Sequence, residues 1–183
     1  HHGAMLNLIG SHDTERVVTR HEGDVGRSKL AYALLLSAVG APMIYYGDEV
    51  GLEGDNDPGC RGSMPWDRAT WRGDLLDWIS WWTSLRGARR ELRRGAQSWI
   101  AFGDDVLGIA SVSDSDATVV VVNRGAAPMA LDVAALDGAV AGLGASSGAW
   151  KLHEAGVASE ERPAGSAVDI AAGGACVVTR GRS

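Results

Sequence analysis

Side chains able to do chemistry gather at three places in this 183-residue sequence. Ser11, His12 and Asp13 stand side by side where the apolar run "LNLIG" ends. Asp48 and Glu49 follow a second apolar run, "APMIYY", and Asp57 and Arg61 share the stretch "DPGCR", with Trp66 a little further on. Serine, histidine and aspartate are the residue types of a nucleophilic triad. Neighbouring side chains on an extended strand point to opposite faces, however, and a triad must converge in space, so that reading is rejected. Two adjacent carboxylates could pass for a general acid and its base. "DNDPG" has the acidity of a calcium loop but lacks the alternating ligand spacing, so no metal site is predicted. In the plainest reading Asp57 and Arg61 pair with each other, and Trp66 packs its loop down.

The elements that must position these groups change character near residue 95. In the first part, "LNLIG" is apolar at nearly every position, which predicts a parallel-type strand buried on both faces. Residues 25–40 carry Leu30, Ala33, Leu34 and Ala38 at helical spacing and stop at Gly40. "APMIYY" predicts a second strand, and residues 71–90 a second long helix with Leu75, Trp78, Trp82 and Leu85 on one stripe. The three tryptophans Trp78, Trp81 and Trp82 read as core, and "RGARRELRR", residues 86–94, as a solvated helix end favoured by the helix dipole. This β-α-β-loop-α order is the repeat of an α/β barrel or a doubly wound sheet. Only two repeats are present, whereas a closed barrel takes eight and about 250 residues.

After Gly95 the pattern becomes short β-rich runs: "VLGIASV", "ATVVVVN", "MALDVAAL", "AWKLHE", "SAVDIA" and "ACVVTR". "SVSDSDAT" reads as a hairpin turn between the first two and "AAGGAC" as one between the last two. Small-residue-rich "AALDGAVAGLGASSGA" reads as a loop, and no helical period is seen. Six such strands predict a small antiparallel sandwich.

Composition narrows the function classes. With 45% hydrophobic and 22% charged residues the chain can bury a core in one domain or two small ones. A net charge of -6 argues against nucleic acid and against an anionic membrane surface as partners. No apolar run approaches the roughly 18 residues of a membrane span. Cys60 and Cys176 match no metal spacing and no disulfide framework, which favours a reducing, cytoplasmic setting. The leading "HHGA" reads as an affinity-tag remnant, after which Met5 opens the sequence more abruptly before its first strand than a real N-terminus does.

Taken together and in order, "SHD" at a strand end, "GAPMIYYGDEVGLEG" and "DNDPGCRGSMPWD" resemble the last quarter of an α-amylase-superfamily glycoside hydrolase, in particular the neopullulanase, cyclomaltodextrinase and maltogenic amylase subgroup. The resemblance covers residues 6–94. It implies a fold of class α/β plus all-β: the last two β/α repeats of a TIM (β/α)8 barrel over residues 5–94, then a small antiparallel β-sandwich over residues 95–183. Residues 6–12 would lie on barrel strand seven and residues 42–47 on strand eight.

The chemistry so implied is retaining cleavage of α-glucosidic bonds through an oxocarbenium-like transition state. Asp13 matches the family's third carboxylate, which accepts hydrogen bonds from two ring hydroxyls of the reacting sugar and stabilises the transition state. His12 matches a histidine that donates to a hydroxyl of the same sugar. Asp57 and Arg61 match an element that holds a glucose unit away from the cleavage point, and "GDEVG" would shape the strand-eight loop. No segment resembles the motifs that carry the nucleophile and the acid/base. The sequence also departs from the family pattern at Ser11, where many members have Asn, and at Glu15, where many of the subgroup have Pro. The resemblance implies no cofactor and no metal; its partners would be an α-glucan oligosaccharide and the missing N-terminal part of the barrel, and unpaired strand edges imply self-association. The alternative is a non-catalytic carbohydrate-binding or inactive truncated product.

Overall fold

A β-α-β unit opens the chain in the computed structural model, which describes residues 5–114, 116–145, 148–153, 160–163 and 166–181. Strand β1 (Leu6–Leu8) leads through the short helix α1 (Val17–Arg20) into helix α2 (Val25–Ser37) and then into β2 (Ala41–Met43). β1 and β2 pair parallel, with Leu6 opposite Ala41 and Leu8 opposite Met43. Asp24 caps α2 by accepting a hydrogen bond from the Arg27 amide at 3.0 Å. Helix α3 (Gly73–Ala88) packs on α2 and is followed by the short helix α4 (Arg90–Arg94). Leu75, Ile79 and Trp82 of α3 meet Leu30, Ala33 and Leu36 of α2 in one apolar cluster, with Trp78 and Trp81 at its margin. No helix among the described residues is long and apolar enough to cross a membrane.

Strands β3 (Ala96–Ala101), β4 (Val106–Ser113), β5 (Asp116–Asn123), β6 (Met129–Asp132), helix α5 (Val133–Ala141), β7 (Trp150–His153), β8 (Glu160–Arg162), β9 (Ala167–Ile170) and β10 (Ala175–Arg180) follow. Six of the strands form an antiparallel sheet in the order β3-β4-β5-β10-β7-β8, and β6 pairs with β9 in a separate ribbon. The run "VVVV", residues 119–122, is apolar at every position because β5 is central and covered on both faces. Val119 and Val121 face the core shared with the ribbon and α5, while Val120 and Val122, with Val177 of β10, face the core built by α2 and α3. The large sheet is thus a wall common to both apolar cores.

Several local expectations are corrected. β1 ends at Leu8 and is not covered: Leu6 is 60% and Leu8 43% exposed, because the only strand beside it among the described residues is β2. The stretch "AALDGAVA" is a helix. Val133, Leu136 and Val140 recur at helical spacing and are buried, and Asp132 caps the start by accepting from the Ala134 amide at 2.8 Å. β3 and β8 were not expected; their alternation is interrupted by polar residues. "AAGGAC" is no hairpin turn: it carries the chain from β9 in the ribbon to β10 in the large sheet. The "RGARRELRR" stretch is not a solvated helix end, since Arg86 and Glu91 are buried. Arg86 donates to the carbonyls of Leu36, Ala38 and Leu92 at 2.8, 2.9 and 2.9 Å. It therefore satisfies carbonyls left over at the C-terminus of α2.

Candidate functional site

The turn after β1 and the loop after β2 meet at the same end of the parallel pair. Residues Ser11–Thr14 leave the extended conformation: the Ser11 amide donates to the Thr14 hydroxyl at 3.1 Å and the Asp13 amide to the Ser11 hydroxyl at 3.2 Å. Because these residues turn, the strand-geometry argument that sent His12 and Asp13 to opposite faces does not apply. His12 Nε2 lies 3.2 Å from Asp13 Oδ2. Ser11 spends its hydroxyl on the turn itself, so the three residues still form no nucleophilic triad.

The second loop reaches the same carboxylate. Arg61 Nη2 donates to Asp13 Oδ1 at 3.2 Å, and Arg61 Nε to Asp57 Oδ1 at 2.5 Å. One planar guanidinium thereby bridges the two acids, as its fork of donors permits. The Asp57 hydrogen bond, joined by the charge of Asp13, pushes the Arg61 pKa above its ordinary value. All four residues singled out from the sequence, His12, Asp13, Asp57 and Arg61, are thus in one contiguous cluster. The cluster is open to solvent: the side chains of His12, Asp13, Arg61 and Asp57 are 58%, 67%, 46% and 59% exposed. The plain pairing of Asp57 with Arg61 is present, but so is the additional bond to Asp13. Trp66 does not pack its loop down; it is 81% exposed. Among the described residues, no group of three or more His, Cys, Asp and Glu could hold a metal ion.

Beneath this exposed layer lies a buried one that the sequence reading missed. Arg16 and Asp48 are fully buried and paired, Nη1 to Oδ1, at 3.1 Å. Burial lifts the Asp48 pKa, and Arg16 opposes that rise. Burial and the neighbouring Asp48 carboxylate push the Tyr32 phenol upward. An arginine followed at once by two buried valines, Val17 and Val18, is the signal that could have marked Arg16 as a core residue. Asp48 keeps the structural role expected of it, while Glu49 lies beside it outside the Arg61 cluster.

Comparison with known proteins gives the family. The family model described as "Alpha amylase, catalytic domain" matches residues 1–97. A cyclomaltodextrinase of Geobacillus thermopakistaniensis (strain MAS1) is 40% identical over 123 residues, which are 66% of this chain and 21% of that protein. Neopullulanase 2 of Thermoactinomyces vulgaris is 37% identical over 124 residues, again 66% and 21% of the two chains. The solved structure of cyclic α-maltosyl-(1→6)-maltose hydrolase from Arthrobacter globiformis, in complex with cyclic α-maltosyl-(1→6)-maltose, superposes with a TM-score of 0.81 at 41% identity. That match covers 98% of this chain and 36% of that one. The chain therefore spans about a fifth of the length of these curated relatives. With a family model matched over residues 1–97 of 183, the chain belongs to the α-amylase family.

Proposed function

We propose that this chain is the C-terminal part of an α-glucan-acting glycoside hydrolase. Residues 5–94 would supply the last two β/α repeats of a (β/α)8 barrel and residues 95–183 a C-terminal β-sandwich. The observation that carries the reading is the Arg61 bridge, which places Asp13 and Asp57 together at the C-terminal ends of two parallel strands. Active sites of such barrels form at this face because the strand-to-helix loops converge there.

In this reading Asp13 is the transition-state stabiliser of a retaining mechanism. Its carboxylate accepts two hydroxyls of the reacting sugar, exchanging the Arg61 bond for them, and these charge-assisted bonds tighten as the ring distorts. His12, held against Asp13, donates to a hydroxyl of the same ring. Asp57 and Arg61 hold a glucose unit away from the cleavage point, and exposed Trp66 offers a ring face for stacking. The nucleophile and the acid/base come from polypeptide upstream of this chain. The test is Asp13→Asn in the full-length polypeptide, with reducing ends counted from maltoheptaose, β-cyclodextrin and pullulan. Removing the charge while keeping the shape is expected to lower kcat on the order of 10³-fold. A near-normal kcat overturns the assignment.

A further inference from the structure

We propose that Arg16, seated on Asp48, is a positioning residue for the turn that carries His12 and Asp13; the inference rests on the role of Asp13 given above. Both ends of the turn are referenced to the Asp48 carboxylate. At its start, a Cβ on Gly10 would run into that carboxylate and lie 3.1 Å from Val17, so only glycine lets the backbone approach so closely. At its end, Arg16 Nη1 bonds Asp48 at 3.1 Å and also the Tyr46 carbonyl. The guanidinium carbon lies 4.2 and 4.6 Å from the ring centroids of Tyr45 and Tyr46, which fixes its plane.

A second chain of contacts closes the ring. The Arg16 amide donates to the Gly54 carbonyl at 2.9 Å. A Cβ on Gly54 would strike the Gly59 carbonyl and lie 3.2 Å from the Cys60 backbone, so the two stretches of loop are in direct contact. Cys60 in turn donates to the His12 carbonyl at 3.0 Å. Arg16, Gly54, Cys60 and His12 thus form a closed circuit, and Asp13 is the solvent-exposed residue inside it. Apart from His12, which enters the circuit through its backbone carbonyl, nothing in it touches a sugar directly. Its effect is to hold the Asp13 carboxylate to one place, and a misplacement of about 1 Å at a reacting centre can cost 10²-fold in rate.

A buried ion pair contributes little net stability, because the desolvation of both charges offsets their attraction, and apolar replacements of similar volume are tolerated. This makes the role separable from folding. In the full-length polypeptide, Arg16→Met combined with Asp48→Leu is expected to fold, with Tm lowered only by the lost bond to the Tyr46 carbonyl, and to lose about 10²-fold in kcat, with KM changed by no more than about two-fold. If that double variant fails to fold, Arg16→Lys carries the decision. A single ammonium cannot reproduce the planar fork, so kcat falls about ten-fold at unchanged KM. A kcat within about two-fold of the parent, in whichever variant folds, overturns the inference. Asp13→Asn measured alongside separates the two readings. An active Asp13→Asn brings down both, whereas an inactive Asp13→Asn with normally active Arg16 variants brings down the positioning role alone.

Discussion

The Cys60 thiol donates to the carbonyl oxygen of His12 at 3.0 Å, tying the loop that carries Arg61 to the turn that carries Asp13. Cys60 is fully buried, so a thiol reagent reaches it only when the loop opens. In a Cys176→Ala background, labelling by a disulfide reagent is expected to be at least about 10²-fold slower in buffer than in urea. Fast labelling in buffer would show that this tie does not hold the loop shut.

Arg86 is the stability counterpart of that tie. Its guanidinium donates to the carbonyls of Leu36, Ala38, Leu92 and Gly40, and the residue is only 7% exposed. Burial, with a smaller effect from Arg93, lowers its pKa without removing its charge. Arg86→Met fills the space but leaves those acceptors without their donor, at a cost of about 1 to 3 kcal/mol for each buried group left unpaired. Urea unfolding of the variant is expected to show a loss of about 3 kcal/mol or more. A loss under about 1 kcal/mol would mean the carbonyls find other donors.

These two contacts also show where sequence reasoning reaches its end. Patterns governed by local period were legible: the α2 stripe of Leu30 and Ala33 and the apolar β5 run. His12, Asp13, Asp57 and Arg61 were singled out by resemblance to a family and not by any period. Roles set by tertiary packing were not legible. Arg86 looks like a solvated cation in a string and Arg16 passes unremarked, because nothing local announces which carbonyl or carboxylate will arrive from far along the chain. Helix α5 was hidden by its composition, since "VAALDGAVA" is so rich in small residues that its period is faint. Trp66 failed for the opposite reason: an aromatic ring normally finds cover, and here it has almost none among the described residues.

Acid is expected to weaken the fold through two histidines. Burial, then Arg20 and Arg27, lowers the His21 pKa; burial, then Arg89 and Lys151, lowers that of His153. The folded chain therefore favours both imidazoles neutral, and the unfolded chain binds more protons as pH falls. Their contribution is fully present above the ordinary histidine pKa of about 6.5 and is lost as pH drops through the lowered values. The Tm difference between about pH 7.5 and about pH 5 should shrink in a His21→Gln, His153→Gln double variant, since glutamine does not titrate. An unchanged difference would assign the acid sensitivity to carboxylates.

Self-association is expected of the isolated polypeptide. β1 has a partner strand on one edge only among the described residues, and Leu6, Leu8 and Trp99 are 60%, 43% and 55% exposed. An open strand edge flanked by apolar side chains invites pairing with another copy. Sedimentation velocity at micromolar concentration should show species larger than the monomer, and Leu6→Lys with Leu8→Lys should reduce them. A monomer at every concentration, binding no hydrophobic dye, would oppose this.

The isolated 183-residue polypeptide is expected not to hydrolyse glycosidic bonds. Retaining hydrolysis requires a nucleophile and an acid/base about 5 to 5.5 Å apart, and in the role proposed here Asp13 is neither. Asp48 cannot serve with it, because that carboxylate is buried and paired with Arg16. Asp57 shares Arg61 with Asp13, so both carboxylates already accept hydrogen bonds from one guanidinium. Binding of a sugar through Asp57 and Arg61 could persist, yet binding substrate and transition state alike accelerates nothing. Incubation with maltoheptaose, β-cyclodextrin and pullulan should yield no new reducing ends. The control is Asp13→Asn: turnover present in the unmutated chain and abolished by that change could not come from a contaminant, and it would show that this polypeptide builds a complete active site by itself.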